Sequence, residues 1–245
     1  MPDSRPLLAV LIDADNTSPK HARGIFEEVA RFGEASVRRI YGDFASNQLA
    51  GWNKVLLEHG LNPQQSPAYT TGKNSSDIAL VIDAMDLLHT GRFQGFVLVS
   101  SDSDFTSLAA RIREQGVDVF GIGQKKTPDA FRRACKRFIF VENIGDTPAI
   151  GDAAPVAGAA DPRPEPNGKE SAHDAIPLVL AAMRSIDPDA DWYTLGQLGQ
   201  YLVSATPDFD PRTYGSPKLS DLLKKSGRFE VKQRQGNHLE VRRLD

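Results

Sequence analysis

Four apolar residues, Phe96-Val97-Leu98-Val99, run directly into Ser100-Ser101-Asp102-Ser103-Asp104-Phe105. A short unbroken apolar run marks a strand covered on both faces, as in a parallel sheet. Helical periodicity follows from Phe105 to Gln115, so Asp102 and Asp104 fall at the carboxyl end of that strand. Ligands of open α/β sheets bind along that edge. Burying charge is costly unless a cation meets it, and a metal ion is the simplest cation to supply.

The rest of the first 145 residues repeats the pattern. Leu7 to Ile12 is a second buried-strand run, ending in Asp13-Ala14-Asp15-Asn16-Thr17. Ser18-Pro19 is a capping residue followed by proline at a first helical position, and Ile25, Phe26, Val29 and Ala30 give that helix its apolar face. Ser36–Tyr41 reads as a strand nearer an edge, Trp52–Leu57 as a helix stopped by Gly60, and Leu61–Tyr69 as a short strand and loop. The polar loop Thr70–Ser76 feeds a helix over Asp77–His89, which is apolar on nearly all sides and so expected to be deeply buried. Val117–Ile122 forms a fifth strand, Pro128–Cys135 a short helix and Arg137–Val141 a last strand. This alternation predicts a doubly wound, mostly parallel α/β sheet.

Residues 146–170 are dominated by Ala, Gly, Pro and Asp and read as a flexible linker. Residues 171–245 then form a small second domain. Helices over Ile176–Met183, Leu195–Leu202 and Lys218–Lys225 precede a hairpin, Phe229–Val241, that turns at Gln235-Gly236-Asn237. Three helices closed by a hairpin make a winged-helix pattern.

In a right-handed doubly wound sheet the first and fourth strands are neighbours at the topological switch point, which brings Asp13 and Asp102 together. Spacing alone leaves the start of the Asp77 helix away from these two strand ends unless the loop before it bends back. Asp15 and Asp77 also have a plain reading, as a turn residue and a helix cap. Three or four carboxylates without cysteine and with little histidine suit a hard, oxygen-loving ion such as Mg²⁺ or Mn²⁺. The single cysteine, Cys135, excludes an internal disulfide and a thiolate zinc knuckle and is read as a core or surface thiol.

These residues reach a family. Leu11-Ile12-Asp13-Ala14-Asp15-Asn16, then Lys73-Asn74-Ser75-Ser76-Asp77 with Asp83 on the same helix, then Ser100-Ser101-Asp102-Ser103-Asp104-Phe105, resembles the NYN domains of the PIN-like nuclease superfamily. The resemblance covers about residues 5–145 and implies the Rossmann-like PIN fold, which sets the Asp77 helix beside the two strand ends. It implies a metal held by Asp13, Asp77, Asp102 and Asp104, with Asn16 orienting a phosphate or water. Lys73 and Ser101 would contact the substrate, and the chemistry would be hydrolysis of RNA. Asp83 lies roughly 120° round the helix from Asp77, so its place in the site, like that of Asp15, stays open.

Asp13-Ala14-Asp15-Asn16-Thr17 also fits the nucleophile loop of haloacid-dehalogenase-type phosphatases, with Asp13 attacking phosphate and Asp15 as acid or base. That family further needs a Ser/Thr-terminated strand before its lysine, which is not convincing ahead of Lys73.

Net charge is −3, so the overall balance does not announce a nucleic-acid partner, but its distribution is informative. Lys125, Lys126, Arg132, Arg133, Lys136 and Arg137 stand against Asp129 alone and follow the fifth strand, where they could neutralise an RNA backbone. The second domain is polarised. Residues 171–211 carry Arg184 against six acids, while 212–243 carry nine Lys and Arg against Asp221, Glu230 and Glu240. The spacing of Trp192, Leu195, Leu198, Phe209, Tyr214-Gly215, Leu219, Leu222-Leu223 and Phe229 resembles the OST-HTH (LOTUS) domain, a family associated with RNA binding and protein contacts. Trp192 and Tyr214 are read as packing residues.

The expectation is a divalent-metal-dependent ribonuclease with a tethered module that captures single-stranded RNA or a protein partner. A non-catalytic RNA-binding adaptor is the rival, although an adaptor has no use for four converging carboxylates. Oligomeric state stays open, with a homodimer among the options because PIN-like domains commonly pair. No apolar run approaches the roughly 20 residues of a membrane span, and Met1–Pro6 lacks a signal-peptide start. A cytoplasmic protein without membrane contact is expected.

Overall fold

Strands β1 (Leu7–Asp13) and β4 (Gly95–Val99) hold the centre of the first unit, and their sequences explain why. Every residue of β4 is buried, and β1 is buried from Leu8 onward. Leu8, Val10 and Ile12 face one layer of helices while Ala9 and Leu11 face the other. A strand covered on both sides has no solvent face to pattern, hence its unbroken apolar run.

The computed structural model describes residues 5–45, 47–65, 75–144, 170–233 and 239–244. They fall into two compact units, the first made of the residues up to Ile144 together with Thr206–Asp208. The expected linker and the hairpin turn Gln235–Asn237 lie outside the described residues. In the first unit, β2 (Glu34–Gly42), β3 (Asn62–Gln65), β5 (Asp118–Gly123) and β6 (Arg137–Phe140) complete a six-stranded sheet in the order β3-β2-β1-β4-β5-β6. Every pairing is parallel. The order reverses between β1 and β4, which is the expected switch point.

Helices α1 (Ala22–Phe32) and α2 (Trp52–His59) contribute Ile25, Val29 and Trp52 to one core layer. Helices α3 (Ser75–His89), α4 (Thr106–Glu114) and α5 (Asp129–Ala134) contribute Leu80, Ala84, Ile112 and Phe131 to the other. Gly60 ends α2 with φ of 60°, a left-handed conformation that glycine adopts without a Cβ penalty. Cys135 is fully buried in the second layer, and burial pushes its thiol up to about 12, so it is a packed core thiol.

Helix α3 corrects the expectation of deep burial. Leu80, Ala84 and Leu88 are buried, but Ile78 is 61% and Ile82 55% exposed. One helical face is enough to cover the sheet, so the outward apolar residues remain in solvent.

The second unit packs α6 (Ile176–Ile186), α7 (Leu195–Ala205) and α8 (Leu219–Ser226) against a small antiparallel sheet. Its strands are β7 (Tyr193–Thr194), β8 (Phe229–Gln233) and β9 (Leu239–Arg243), in the order β7-β9-β8. The core is built from Val179, Met183, Leu198, Leu202, Leu222, Leu223, Phe229 and Val241. The winged-helix pattern is present, with β7 as a third strand that two residues were too short to signal.

Candidate active site

β1 and β4 pair in parallel with Ile12 opposite Val99, so the next residues, Asp13 and Ser100, meet across the strand ends. Asp13 is 1% exposed, and its carboxylate is fully engaged. Oδ1 accepts the backbone N–H groups of Asp15 at 3.1 Å and Asn16 at 3.3 Å. Oδ2 accepts the Asn16 amide and the Ser100 hydroxyl, each at 2.7 Å. Burial raises the Asp13 pKa, and the Ser100 and Asn16 hydrogen bonds act against that shift. Asn16 therefore orients Asp13 in this arrangement.

Ser100 joins the two strand ends, a role that the sequence reading missed. Its hydroxyl donates to Asp13 and accepts the N–H of Asp102 at 3.0 Å. Asp102 in turn accepts the N–H of Asp104 at 2.9 Å and caps a 3-10 turn over Ser103–Phe105. A serine closing a strand beside an aspartate-terminated neighbour is the signal that could have found it. Replacing Ser100 with Ala leaves the buried Asp13 oxygen one donor short and the Asp102 N–H without its acceptor. We expect a loss of about 1–3 kcal/mol in denaturant unfolding.

Ser101 is engaged elsewhere: its hydroxyl accepts the N–H of Gln124 at 2.9 Å, tying the loop after β4 to the loop after β5. That close approach needs Gly123, where a Cβ would sit 2.5 Å from the Ser100 carbonyl oxygen.

Helix α3 leads from β3 to β4 and so runs against the strands, which puts its first turn at their carboxyl ends. The geometric objection raised from spacing therefore falls away: a parallel crossover places Asp77 at the correct edge without a special bend. Ser76 donates to Asp15 at 3.1 Å across this gap. Asp77 has its pKa raised to about 6, first by burial and then by the charges of Asp13, Asp102, Asp15 and Asp104. All four of these charges are carboxylates. Asp83 stands apart from this cluster, accepting from Arg39 and Tyr41 at 2.8 Å each. Lys73 lies outside the described residues.

A carboxylate whose folded pKa lies above its unfolded value destabilises the fold when charged. Its penalty is complete above about pH 6 and is relieved as the pH falls toward the unfolded value of 3.8. Asp77→Asn should therefore raise the melting temperature in EDTA at pH 7.5 and have little effect near pH 4. A wild-type-like melting temperature for the variant at pH 7.5 would contradict this charge crowding.

The oxygen-only donor set and its unmatched negative charge fit a hard divalent cation. Among the described residues, no three acidic, histidine or cysteine side chains are already closed around an ion position.

The basic run is partly neutralised by its own fold. Arg132 and Arg133 both pair with Asp129, and Lys136 meets Asp118 at 2.7 Å. Asp118 begins β5, so Lys136 stands at the amino edge of the sheet, opposite the aspartates. Arg137, which begins β6, lies over the Phe32 ring at that same edge. Only Lys125 and Lys126 occupy the loop at the carboxyl edge, and the Lys125 N–H bonds the Glu142 carboxylate at 3.0 Å.

In the second unit, the solvent face of α8 and its flanks carries Lys218, Lys224, Lys225 and Arg228, all exposed. Among the described residues, no acid stands within ion-pair distance of these four. On the wing, Lys232 and Arg242 each pair with Glu230 at 2.6 Å and lie over the Trp192 ring. Tyr214 is buried in the core. Trp192 is half-buried outside that core, its ring covered by the two wing cations.

A doubly wound parallel sheet with aspartates at its switch point, followed by a winged helix with a basic α8, defines a PIN-like α/β domain joined to a nucleic-acid-binding type of module. Comparison with known families makes this specific. Residues 7–142 match the NYN domain and residues 171–241 the OST-HTH/LOTUS domain, and the chain belongs to the NYN domain family. NYN is a PIN-like nuclease domain, and OST-HTH domains bind RNA and sometimes proteins. A protein of unknown function from Vibrio parahaemolyticus is similar in fold, with 17% identity and a TM-score of 0.51 over 59% of this chain and 98% of its own. An uncharacterized protein from Nitrosomonas europaea is 33% identical over 38% of this chain and 93% of its own, with a TM-score of 0.28. No curated protein matches the chain. Among the described residues, no helix is long and apolar enough to cross a membrane.

Proposed function

We propose that the protein is a ribonuclease whose first domain hydrolyses RNA phosphodiesters with a divalent ion, Mg²⁺ or Mn²⁺. The observation that carries this reading is the meeting of strand ends at the switch point, where Ser100 links Asp13 to the Asp102 loop and Ser76 on the first turn of α3 donates to Asp15. Asp77, Asp102 and Asp104 would hold the ion from the rim of the site, above the buried Asp13. When bound, such an ion activates water and stabilises charge on a phosphodiester. Asn16 and Ser100 donate to Asp13, which favours its charged form against the effect of burial, and they fix the strand ends from which the other acids project.

The second domain captures RNA through the cations of α8, and its tether raises the local RNA concentration at the cutting domain. The domains extend over residues 1–145 and 171–245, with 146–170 as the linker. Lys125 and Lys126 line the approach to the site, with Lys73 before α3 as a further phosphate contact. Arg132 and Arg133 contribute less because both are paired with Asp129, which offsets one of their two charges.

The phosphatase reading loses support from Asp13 itself. A carboxylate 1% exposed, with donors on both oxygens, is badly placed to attack phosphate. The deciding experiment is incubation of labelled single-stranded RNA with Mn²⁺, Mg²⁺ or EDTA. Cleavage with metal and none in EDTA is expected. RNA bound but uncut under all three conditions would overturn the enzyme reading in favour of the adaptor.

A further inference from the structure

Asp83, left open by its position on α3, has a defined set of partners. Its Oδ2 accepts both the guanidinium of Arg39 and the hydroxyl of Tyr41, each at 2.8 Å. Arg39 and Tyr41 are two residues apart on β2, so both rise from the sheet face that α3 covers. Tyr41 is 1% exposed and stands directly opposite Asp13 in the β1–β2 register. Its carbonyl accepts the N–H of Ala14 at 2.9 Å, which fixes it to the loop that carries Asp15 and Asn16. Burial, and then the Asp83 hydrogen bond and charge, raise the Tyr41 pKa, so the phenol remains a donor.

Apart from Leu80, the Ser76–Asp15 hydrogen bond and the partial packing of Ala79 and Val81, little else among the described residues holds the amino-terminal half of α3. Leu80 is its buried anchor, while Ile78 and Ile82 on either side of it point to solvent. Six residues separate Asp77 from Asp83, about 9 Å along the helix axis, close enough for one fixed point to set the other.

We infer that Asp83, held by Arg39 and Tyr41, is a positioning residue that fixes the first turn of α3 so that Asp77 stands over Asp13. Its partners sit on the strand next to Asp13, so the clamp ties the one site acid carried on a helix to the strand framework of the others. The consequence for metal affinity rests on the metal-dependent reading proposed above; the placement of α3 does not.

Two measurements separate the two claims. The first is hydrogen exchange of the metal-free protein, comparing wild type with Tyr41→Phe, Asp83→Ala and Asp83→Asn. Tyr41→Phe keeps the buried ring, and Asn at 83 keeps an acceptor. Exchange over 75–80 should quicken in Tyr41→Phe and more in Asp83→Ala, with that of α4 unchanged and with Asp83→Asn close to wild type. Wild-type exchange over 75–80 in both Tyr41→Phe and Asp83→Ala would overturn the clamp. The second is Mn²⁺ titration by electron paramagnetic resonance, where Asp83→Ala should bind about tenfold more weakly and Asp83→Asn should recover most of the loss. Equal Mn²⁺ affinity in wild type and Asp83→Ala would overturn the positioning role. Absence of Mn²⁺ binding by wild type would overturn the metal reading instead, and hydrogen exchange alone would then decide the clamp.

Discussion

Asp102→Asn should lower the proposed RNA cleavage by about 10²–10³-fold, with little change in RNA affinity or melting temperature. The separation follows from what Asp102 does in the fold. Its side chain accepts the Asp104 N–H and caps a short turn, and asparagine caps as well as aspartate does. The substitution therefore keeps the hydrogen bond and removes the charge. Single-turnover cleavage, a binding isotherm and a melting curve on the same preparation give the three readings. A folded Asp102→Asn protein that cleaves at the wild-type rate would remove Asp102 from the active site.

Reversing two cations on α8, with Lys224→Glu and Arg228→Glu, should weaken single-stranded RNA binding by roughly tenfold or more at moderate salt. Both side chains are exposed, while the core face of α8 is carried by Leu222 and Leu223. The fold should not respond. The sharper readout is the salt dependence: losing two phosphate contacts lowers the slope of log affinity against log salt by about 1.4. On the wing, Lys232→Ala should do less, because Glu230 already pairs with that lysine. An unchanged affinity and slope in the double variant would transfer RNA capture away from α8 and leave the second domain as a protein-binding module.

The parts of this fold that announce themselves in sequence are those whose local pattern matches their burial. β1 and β4 are covered by helices on both sides, and their unbroken apolar runs say so. Gly60 ends α2 where expected because its left-handed conformation has a residue-specific cost. Asp13 and Asp102 were legible as a pair because strand order at a switch point follows from handedness rules rather than from contacts. The NYN and OST-HTH resemblances rested on such residues and agree with the families matched.

What escaped the sequence depends on partners far along the chain. The run from Lys125 to Arg137 looks like one basic patch until Asp118, 18 positions before Lys136, is found beside that lysine at the amino edge of the sheet. Ser100 looks like a turn residue until the register with β1 sets it against Asp13, 87 positions away. Helix α3 reads as buried all round because composition does not show that the sheet covers a single face. Asp83 could be separated from Asp77 by helical angle, but its partners on β2 were invisible until the strand packed under it.

The central claim is that Asp77 at the start of α3, with Asp102 and Asp104 after β4, holds a divalent ion above Asp13. Anomalous diffraction from crystals grown with Mn²⁺ tests it directly. A manganese peak beside Asp77, Asp102 and Asp104, above Asp13, is the predicted result. Crystals at a Mn²⁺ concentration that supports RNA cleavage, with manganese bound elsewhere or nowhere on the chain, would contradict it.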